Sequence, residues 1–174
     1  MEITQRRRVY DGHFKVTELT LHTAEGENLP RERFEPGHAV AALVFDTSKQ
    51  QYLLTRQFRI GPEAELTEIA AGMIDQGESP ETAVRRELHE ELGYEVDALT
   101  EIVKMWPSPG TSGETIVVYY AEVSRQTGQG GGLADEHEHL EIVSLSRDEL
   151  ITEPWQDAKT LLAVQWVQLN KPVA

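Results

Sequence analysis

The segment from Ser79 to Gly93 places the strongest limit on the fold, because the sequence marks both its ends and its buried side. Serine followed by proline is a favoured start of a helix, and glycine after the last apolar residue is a common left-handed end. Between them Val84, Leu88 and Leu92 recur every four residues and predict one apolar stripe. This helix must therefore pack its stripe on a core.

Segments with strand character surround this helix. Imperfect alternation predicts a half-buried strand at 14–23, and continuous apolar runs predict buried strands at 38–46 and 50–60. Further strands are predicted at 30–35, 95–106, 114–123 and 140–146, and further helices at 146–151 and 157–169. Because strands interleave with few helices and no repeat is present, the sequence predicts an α/β sandwich with a mixed sheet.

The composition narrows the class of partner. The formal net charge of -14 argues against non-specific binding to nucleic acid or to an anionic membrane. No apolar run approaches the ~20 residues of a membrane span, and the N-terminal residues lack the apolar region of a signal peptide. The chain has no cysteine, which excludes disulfides and fits a reducing compartment. We therefore expect a cytoplasmic protein with neither nucleic acid nor membrane as partner.

Three glutamates, Glu87, Glu90 and Glu91, are concentrated near the end of the predicted helix. At 100° per residue, Glu87 and Glu91 project within about 40° of each other, beside the apolar stripe. Like charges one turn apart destabilise a helix by roughly 0.2–0.5 kcal/mol per pair. Carboxylates on a rigid element are suitable ligands for Mg²⁺ or Mn²⁺, which would relieve the repulsion. A solvated charged face is the alternative, and the helix alone favours that alternative.

The residues before the helix reverse this preference. Five residues separate Gly72 from Glu78, and seven more lead to the run from Arg86 to Tyr94. This spacing resembles the Nudix box, the signature of the Nudix hydrolase family, at every specified position except the last. There Tyr94 replaces an aliphatic residue. The resemblance implies the Nudix fold, an α/β/α sandwich with a mixed sheet, and hydrolysis of a nucleoside diphosphate linked to another group.

The same resemblance implies roles for the matching residues. The implied metal ligands are the backbone carbonyl of Ala71 and the carboxylates of Glu87, Glu90 and Glu91. Glu78 and Arg86 would form an ion pair from loop to helix that orients these ligands. Bound Mg²⁺ would neutralise the charge of a pyrophosphate and lower the pKa of a bound water. Glu87 and Glu91 are accordingly counted among the catalytic residues.

Segments outside the box resemble the ADP-ribose pyrophosphatase branch of the family and its nucleotide-sugar relatives. The matching stretches are RQFRIG, EIAAGMID, SPGTSGE, GLADEHEHLEI and LLAVQWVQL. Pro109 lies 15 residues after the box, where ADP-ribose enzymes carry proline, although the nucleotide-sugar relatives share part of this segment. The resemblance thus implies hydrolysis of ADP-ribose to AMP and ribose 5-phosphate. GDP-mannose, or a broad set of nucleotide sugars, is the alternative substrate.

The branch pattern also implies a general base and substrate contacts outside the helix. Glu136 would be the base and Glu138 a further metal ligand, and an exchange of the two roles stays open. The glycines at 128–132 are expected to make the preceding segment flexible, so that the loop can close. His137 and His139 replace residues that are often Asn and Asp in relatives, and their role stays open. The implied substrate-binding residues are Arg31, Arg59 and Glu114.

The chain is expected to have two parts and to form a homodimer. Residues 1–35 are predicted to be an N-terminal β extension, and residues 36–174 the Nudix domain. Arg31 matches an arginine that reaches the neighbouring subunit's nucleotide in dimeric relatives, which implies that the extensions are exchanged. The alternative from another class is a non-catalytic Nudix-fold ligand sensor. The intact box, and the lack of room for a helix-turn-helix domain, argue against this sensor.

Overall fold

The computed structural model describes residues 1–132 and 140–171. Within these residues the chain forms ten strands and three helices. They are β1 (Glu2–Asp11), β2 (Lys15–His22), β3 (Asn28–Glu35), β4 (His38–Asp46), β5 (Gln51–Arg59), β6 (Ala64–Glu68), β7 (Ala70–Met73), α1 (Pro80–Leu92), β8 (Tyr94–Met105), β9 (Thr115–Gln126), β10 (Glu141–Leu145), α2 (Arg147–Thr152) and α3 (Ala158–Asn170). The chain separates into two compact units. The first comprises Met1–His38 and Met105–Ile116, and the second comprises Ala39–Lys104 and the described residues from Val117 onward.

The first unit contains a three-stranded antiparallel sheet in the order β1-β2-β3. Strands β2 and β3 confirm the extended segments predicted near them. Strand β1 was not predicted, because nine of its ten residues are exposed and its sequence has no apolar alternation. Phe14 packs edge-on against Phe34 with 5.1 Å between ring centroids. This unit therefore depends more on strand pairing than on a large apolar core.

The second unit is built on a seven-stranded sheet with the order β10-β5-β4-β9-β8, in which β6 pairs with β5 and β7 pairs with β4. Strand β4 is antiparallel to β5 and to β7. It runs parallel to β9, since His38 Nδ1 lies 2.8 Å from Thr115 Oγ1 at the start of both strands. Near their other ends Thr47 N donates to Val123 O at 2.8 Å. The sheet is therefore mixed, as predicted.

Helices cover both faces of this sheet. Alternate residues of β9 from Val117 to Val123 pack in one cluster with the apolar stripe of α1. Tyr120, which points to the opposite face, contacts Trp166 of α3 with 5.4 Å between ring centroids. This arrangement is the predicted α/β/α sandwich. In the described part of the chain no helix combines the length and apolar character that a membrane span requires.

Candidate active site

Helix α1 is oriented by its two ends. Ser79 accepts a hydrogen bond from Thr82 N, and Gly93 closes the helix with a left-handed φ of 76°, so both predicted caps are present. The stripe of Val84, Leu88 and Leu92 is fully buried, as predicted. Beside that buried stripe, Glu87 and Glu91 lie along the flank that meets strand β7.

Gly72 of β7 lies directly against the carboxylate of Glu87. A Cβ added to Gly72 would be 1.9 Å from Glu87 Cδ, and 2.0 and 2.2 Å from its two oxygens. These separations are far shorter than a van der Waals contact, so a larger residue at this position would displace Glu87. The box begins with glycine because the strand must let a carboxylate approach its backbone.

Glu91 is held by the neighbouring residue of the same strand. Its side chain is buried, with 3% of the residue exposed, and its Oε2 accepts a hydrogen bond from Ala71 N at 3.2 Å. A buried carboxylate requires such polar partners, because desolvation otherwise disfavours its charge. Ala71, predicted from the resemblance as a carbonyl ligand, thus also fixes a glutamate through its amide.

Arg86 connects the helix, the end of β7 and the following loop. Its Nη1 donates to Glu87 Oε1 at 2.9 Å and to Glu90 Oε2 at 3.0 Å. Its Nε and Nη2 donate to Glu78 at 3.2 and 3.1 Å, and Nη2 also donates to Met73 O at 3.0 Å. The hydrogen bond from Arg86 lowers the pKa of Glu78, and the hydrogen bond to Glu78 raises the already high pKa of Arg86. Arg86 therefore offsets part of the repulsion between the glutamates.

The donor chemistry of this flank fits a hard divalent cation. Within residues 1–132 and 140–171, no three acidic or histidine side chains already converge as ligands. The carboxylates nevertheless supply oxygen donors on a rigid helix, and Glu91 is a buried carboxyl group beside a backbone amide. The groups that would hold Mg²⁺ or Mn²⁺ are the carboxylates of Glu87, Glu90 and Glu91 and the carbonyl of Ala71. Such an ion supplies charge neutralisation and an activated water when bound.

A buried ion-pair cluster that the sequence did not reveal surrounds Glu68. Only 2% of Glu68 is exposed. Its Oε1 accepts from Arg59 Nε at 2.6 Å, and its Oε2 accepts from Lys159 Nζ. Lys159 also contacts Asp157 Oδ1 at 3.1 Å, and Asp157 caps helix α3. No local pattern could have indicated this cluster, because Glu68 and Lys159 are 91 residues apart in the chain.

The glycines at 128–132 are bonded to the C-terminal end of α1. Thr127 N and Gly128 N donate to Gly93 O at 2.7 and 2.9 Å, and Gly131 N donates to Glu91 O at 2.8 Å. Gly130 has a φ of 67°, and a Cβ there would be 2.7 Å from Glu91 O. Left-handed backbone at Gly130 and close approach to Glu91 therefore give the glycine segment a structural role, and its flexibility stays a prediction.

Tyr94, the one departure from the box, makes a contact that an aliphatic residue could not. Its hydroxyl donates to Asp46 Oδ2 at 2.8 Å, and both residues are buried. Asp46 also accepts hydrogen bonds from Ser48 N and Lys49 N in the turn after β4. Burial alone would raise the pKa of Asp46, but its hydrogen bonds from Ser48 and Tyr94 lower it below its ordinary value.

The remaining predicted residues are located outside this flank or outside the described chain. Arg59 belongs to the second unit, and Arg31 and Glu114 to the first. Arg31 Nη1 donates to Pro30 O at 2.8 Å, and Glu114 N donates to Ser112 Oγ at 3.1 Å. The acidic-loop residues Glu136, His137, Glu138 and His139 lie outside the described residues. The roles of all these residues stay predictions.

Comparison with known proteins identifies the family to which the chain belongs. The NUDIX domain model matches residues 35–167. A GDP-mannose pyrophosphatase of Cronobacter sakazakii is 31% identical, over 98% of this chain and 96% of its own. An ADP-ribose pyrophosphatase of Escherichia coli (strain K12) is 32% identical, over 98% of this chain and 88% of its own. A solved structure described as an ADP compounds hydrolase shares the fold, with a TM-score of 0.81, 24% identity and coverage of 99% and 96% of the two chains. The chain therefore belongs to the Nudix hydrolase family, as its box predicted.

Proposed function

We propose that this protein hydrolyses the pyrophosphate bond of a nucleoside diphosphate sugar, with ADP-ribose as the first candidate and AMP and ribose 5-phosphate as products. The observation that carries the proposal is the carboxylate flank of α1. It places Glu87 against the backbone of Gly72 and Glu91 on the amide of Ala71. Similarity to pyrophosphatases over 98% of the chain supports the substrate class.

In the proposed reaction, water attacks one phosphorus, and the bond to the bridging oxygen breaks. Glu136 accepts the proton of the attacking water, and Glu138 is a further metal ligand. Mg²⁺, or alternatively Mn²⁺, supplies charge neutralisation when it is bound. Glu78 acts through Arg86, whose hydrogen bonds to Glu87 and Glu90 fix their orientation.

Arg59 is proposed to bring positive charge to the phosphates of the nucleotide. Its Nε is held by Glu68, and 38% of its side chain is exposed. Arginine suits this task because its planar guanidinium matches phosphate oxygens. Glu114 is proposed to contact the terminal ribose, and Arg31 the nucleotide bound by a neighbouring subunit. The last role requires a homodimer in which the residues 1–35 are exchanged.

GDP-mannose is the second candidate substrate, since a GDP-mannose pyrophosphatase is 31% identical to the chain. The lack of cysteine and the net charge of -14 support a cytoplasmic enzyme that acts on a small molecule rather than on nucleic acid or membrane.

The proposed function is tested by product analysis. Purified protein with Mg²⁺ is incubated with ADP-ribose, GDP-mannose, ADP-glucose, NADH and diadenosine compounds, and the products are separated by chromatography. We expect AMP and ribose 5-phosphate from ADP-ribose, loss of turnover in EDTA, and recovery with Mg²⁺ or Mn²⁺. Absence of turnover with every nucleotide sugar would contradict the proposal and favour a non-catalytic sensor.

A further inference from the structure

We infer that Glu68 and Lys159 are positioning residues that together orient the Arg59 guanidinium toward the substrate's phosphates. This inference rests on the proposed function, because it assigns Arg59 a phosphate ligand. Glu68 and Lys159 belong to neither the Nudix box nor the carboxylate flank of α1. Their effect on the reaction would pass through the geometry of one arginine.

The strand register brings Arg59 and Glu68 to the same face of the sheet. Strand β5 pairs with β6 so that Arg59 is opposite Ala64 and Thr55 is opposite Glu68. Arg59 thus lies four positions from the residue opposite Glu68, an even number that leaves both side chains on one face. The side chain of Arg59 therefore extends along the sheet to reach the buried carboxylate.

The contact between Glu68 and Arg59 uses Nε of the arginine. Glu68 Oε1 lies 2.6 Å from Arg59 Nε. The terminal groups Nη1 and Nη2 make no hydrogen bond to any other residue in the described part of the chain. Glu68 is 2% exposed and the Arg59 side chain is 38% exposed, so a buried carboxylate holds an arginine that solvent reaches. An arginine held in this way presents its two terminal nitrogens, with four N–H donors, to an incoming phosphate.

Lys159 determines that the contact stays at Nε. Arginine and carboxylate commonly form bidentate pairs in which two nitrogens meet two oxygens. Here the second oxygen of Glu68 accepts from Lys159, whose side chain is 11% exposed. Lys159 is in turn held by Asp157 at the start of α3. With Oε2 occupied, Glu68 has one oxygen for Arg59, and the terminal nitrogens are kept for a ligand.

The cluster is close to the carboxylate flank along the chain. Glu68 and Ala71 are three residues apart, so their Cα atoms lie within about 11 Å of each other. Ala71 N holds Glu91, as Glu68 holds Arg59. One short segment therefore anchors both the proposed phosphate contact and a proposed metal ligand. The alternative explanation is that the contacts among Arg59, Glu68 and Lys159 only stabilise the fold of the second unit.

A double-mutant comparison separates these two explanations. Kinetics of nucleotide-sugar hydrolysis with Mg²⁺ are measured for Arg59→Ala, Glu68→Gln and the double variant. We expect Glu68→Gln to raise KM about tenfold, the scale of a lost hydrogen bond to a charged group, with kcat changed less than about threefold. When Glu68→Gln is added to Arg59→Ala, KM should rise no further, because the effect of Glu68 passes through Arg59. An equal rise of KM in both backgrounds would overturn the inference.

Two further measurements keep the test decisive. Lys159→Met keeps both charges of the Glu68–Arg59 pair but frees Glu68 Oε2 for a second contact with the guanidinium, so it addresses the case in which Glu68→Gln does not fold. It should also raise KM, and only when Arg59 is present; an unchanged KM would contradict the role given to Lys159. Calorimetric titration with AMP in EDTA should show about tenfold weaker binding to Glu68→Gln. Weakened AMP binding alongside an inactive wild type would refute the proposed function alone, whereas unchanged AMP binding would refute the inference.

Discussion

At the scale of single residues, the position of the Glu87 carboxylate depends on Gly72, a residue without a side chain. Gly72 has no Cβ, and the Glu87 carboxylate occupies the space that a Cβ would fill. The motif requires glycine at this position because the Glu87 carboxylate approaches the backbone of strand β7 there.

We predict that Gly72→Ala lowers kcat/KM at least about tenfold and raises the Mg²⁺ concentration needed for half-maximal rate, because Glu87 must leave its position. The measurement is an Mg²⁺ titration of hydrolysis. Gly61→Ala is the matched control, since no atom lies within 4 Å of a Cβ added there. Wild-type Mg²⁺ dependence in Gly72→Ala would show that Glu87 is misassigned.

Asp46 gives a prediction on the pH dependence of stability. Its native pKa lies below its ordinary value of 3.8, since its hydrogen bonds outweigh burial. The ionised group therefore stabilises the fold fully above about pH 3.8, and this contribution is lost as pH falls through the lower native pKa. Asp46→Asn should reduce the free energy of unfolding by about 2 kcal/mol at pH 7.

Urea unfolding of Asp46→Asn and wild type at several pH values checks this. The difference in the free energy of unfolding between the two proteins should be constant from pH 7 to pH 5 and should shrink below about pH 3.8. A difference that grows in acid would contradict the assigned direction of the pKa shift.

At the scale of secondary-structure elements, the C-terminal end of α1 has two functions. Gly93 ends the helix with a positive φ, and its carbonyl accepts hydrogen bonds from Thr127 N and Gly128 N. A Cβ on Gly93 would lie 2.4 Å from Gly128 O. The same glycine therefore stops the helix and provides the surface on which the later glycine segment lies.

We predict that Gly93→Ala destabilises the protein more than Ser79→Ala does. Loss of the Ser79 cap should reduce the free energy of unfolding by about 1 kcal/mol. A left-handed alanine costs about 1–2 kcal/mol before its clash with Gly128 is included. Denaturant unfolding of both variants provides the comparison. Equal or smaller destabilisation by Gly93→Ala would show that the backbone accommodates the added methyl group.

The elements also show how far the sequence could predict the fold. The ends of α1, its buried stripe and the buried strands β4 and β5 follow from local chemistry and were predicted. Strand β1 was missed because its sequence has no regular apolar alternation and nine of its ten residues are exposed, so its pairing with β2 has no local apolar signal. The Glu68–Lys159 contact was missed because it joins residues that only the folded chain brings together.

At the scale of the whole molecule, the excess of negative charge shapes the chemistry. The chain carries 30 acidic and 16 basic residues, and a pyrophosphate is itself an anion. Such a protein would repel its proposed substrate unless cations intervene. Arg86 offsets part of the negative charge on α1, and Arg59 supplies a cation that is held by the buried carboxylate of Glu68. The resemblance to the box predicted the acidic groups of α1 and the pairing of Arg86 with Glu78, whereas the contacts of Arg86 with Glu87 and Glu90 and of Arg59 with Glu68 required the structure.

The most direct test of the metal-dependent hydrolysis proposed here is the rate of nucleotide-sugar hydrolysis by Glu91→Gln with Mg²⁺. The amide is isosteric and its oxygen can still accept from Ala71 N, so we expect a folded protein. We predict that kcat/KM falls about a hundredfold or more, since a charged ligand is lost. Glu101→Gln, at an exposed position of β8, removes the same charge and should retain wild-type turnover. Full Mg²⁺-dependent turnover by Glu91→Gln would contradict the metal site on α1.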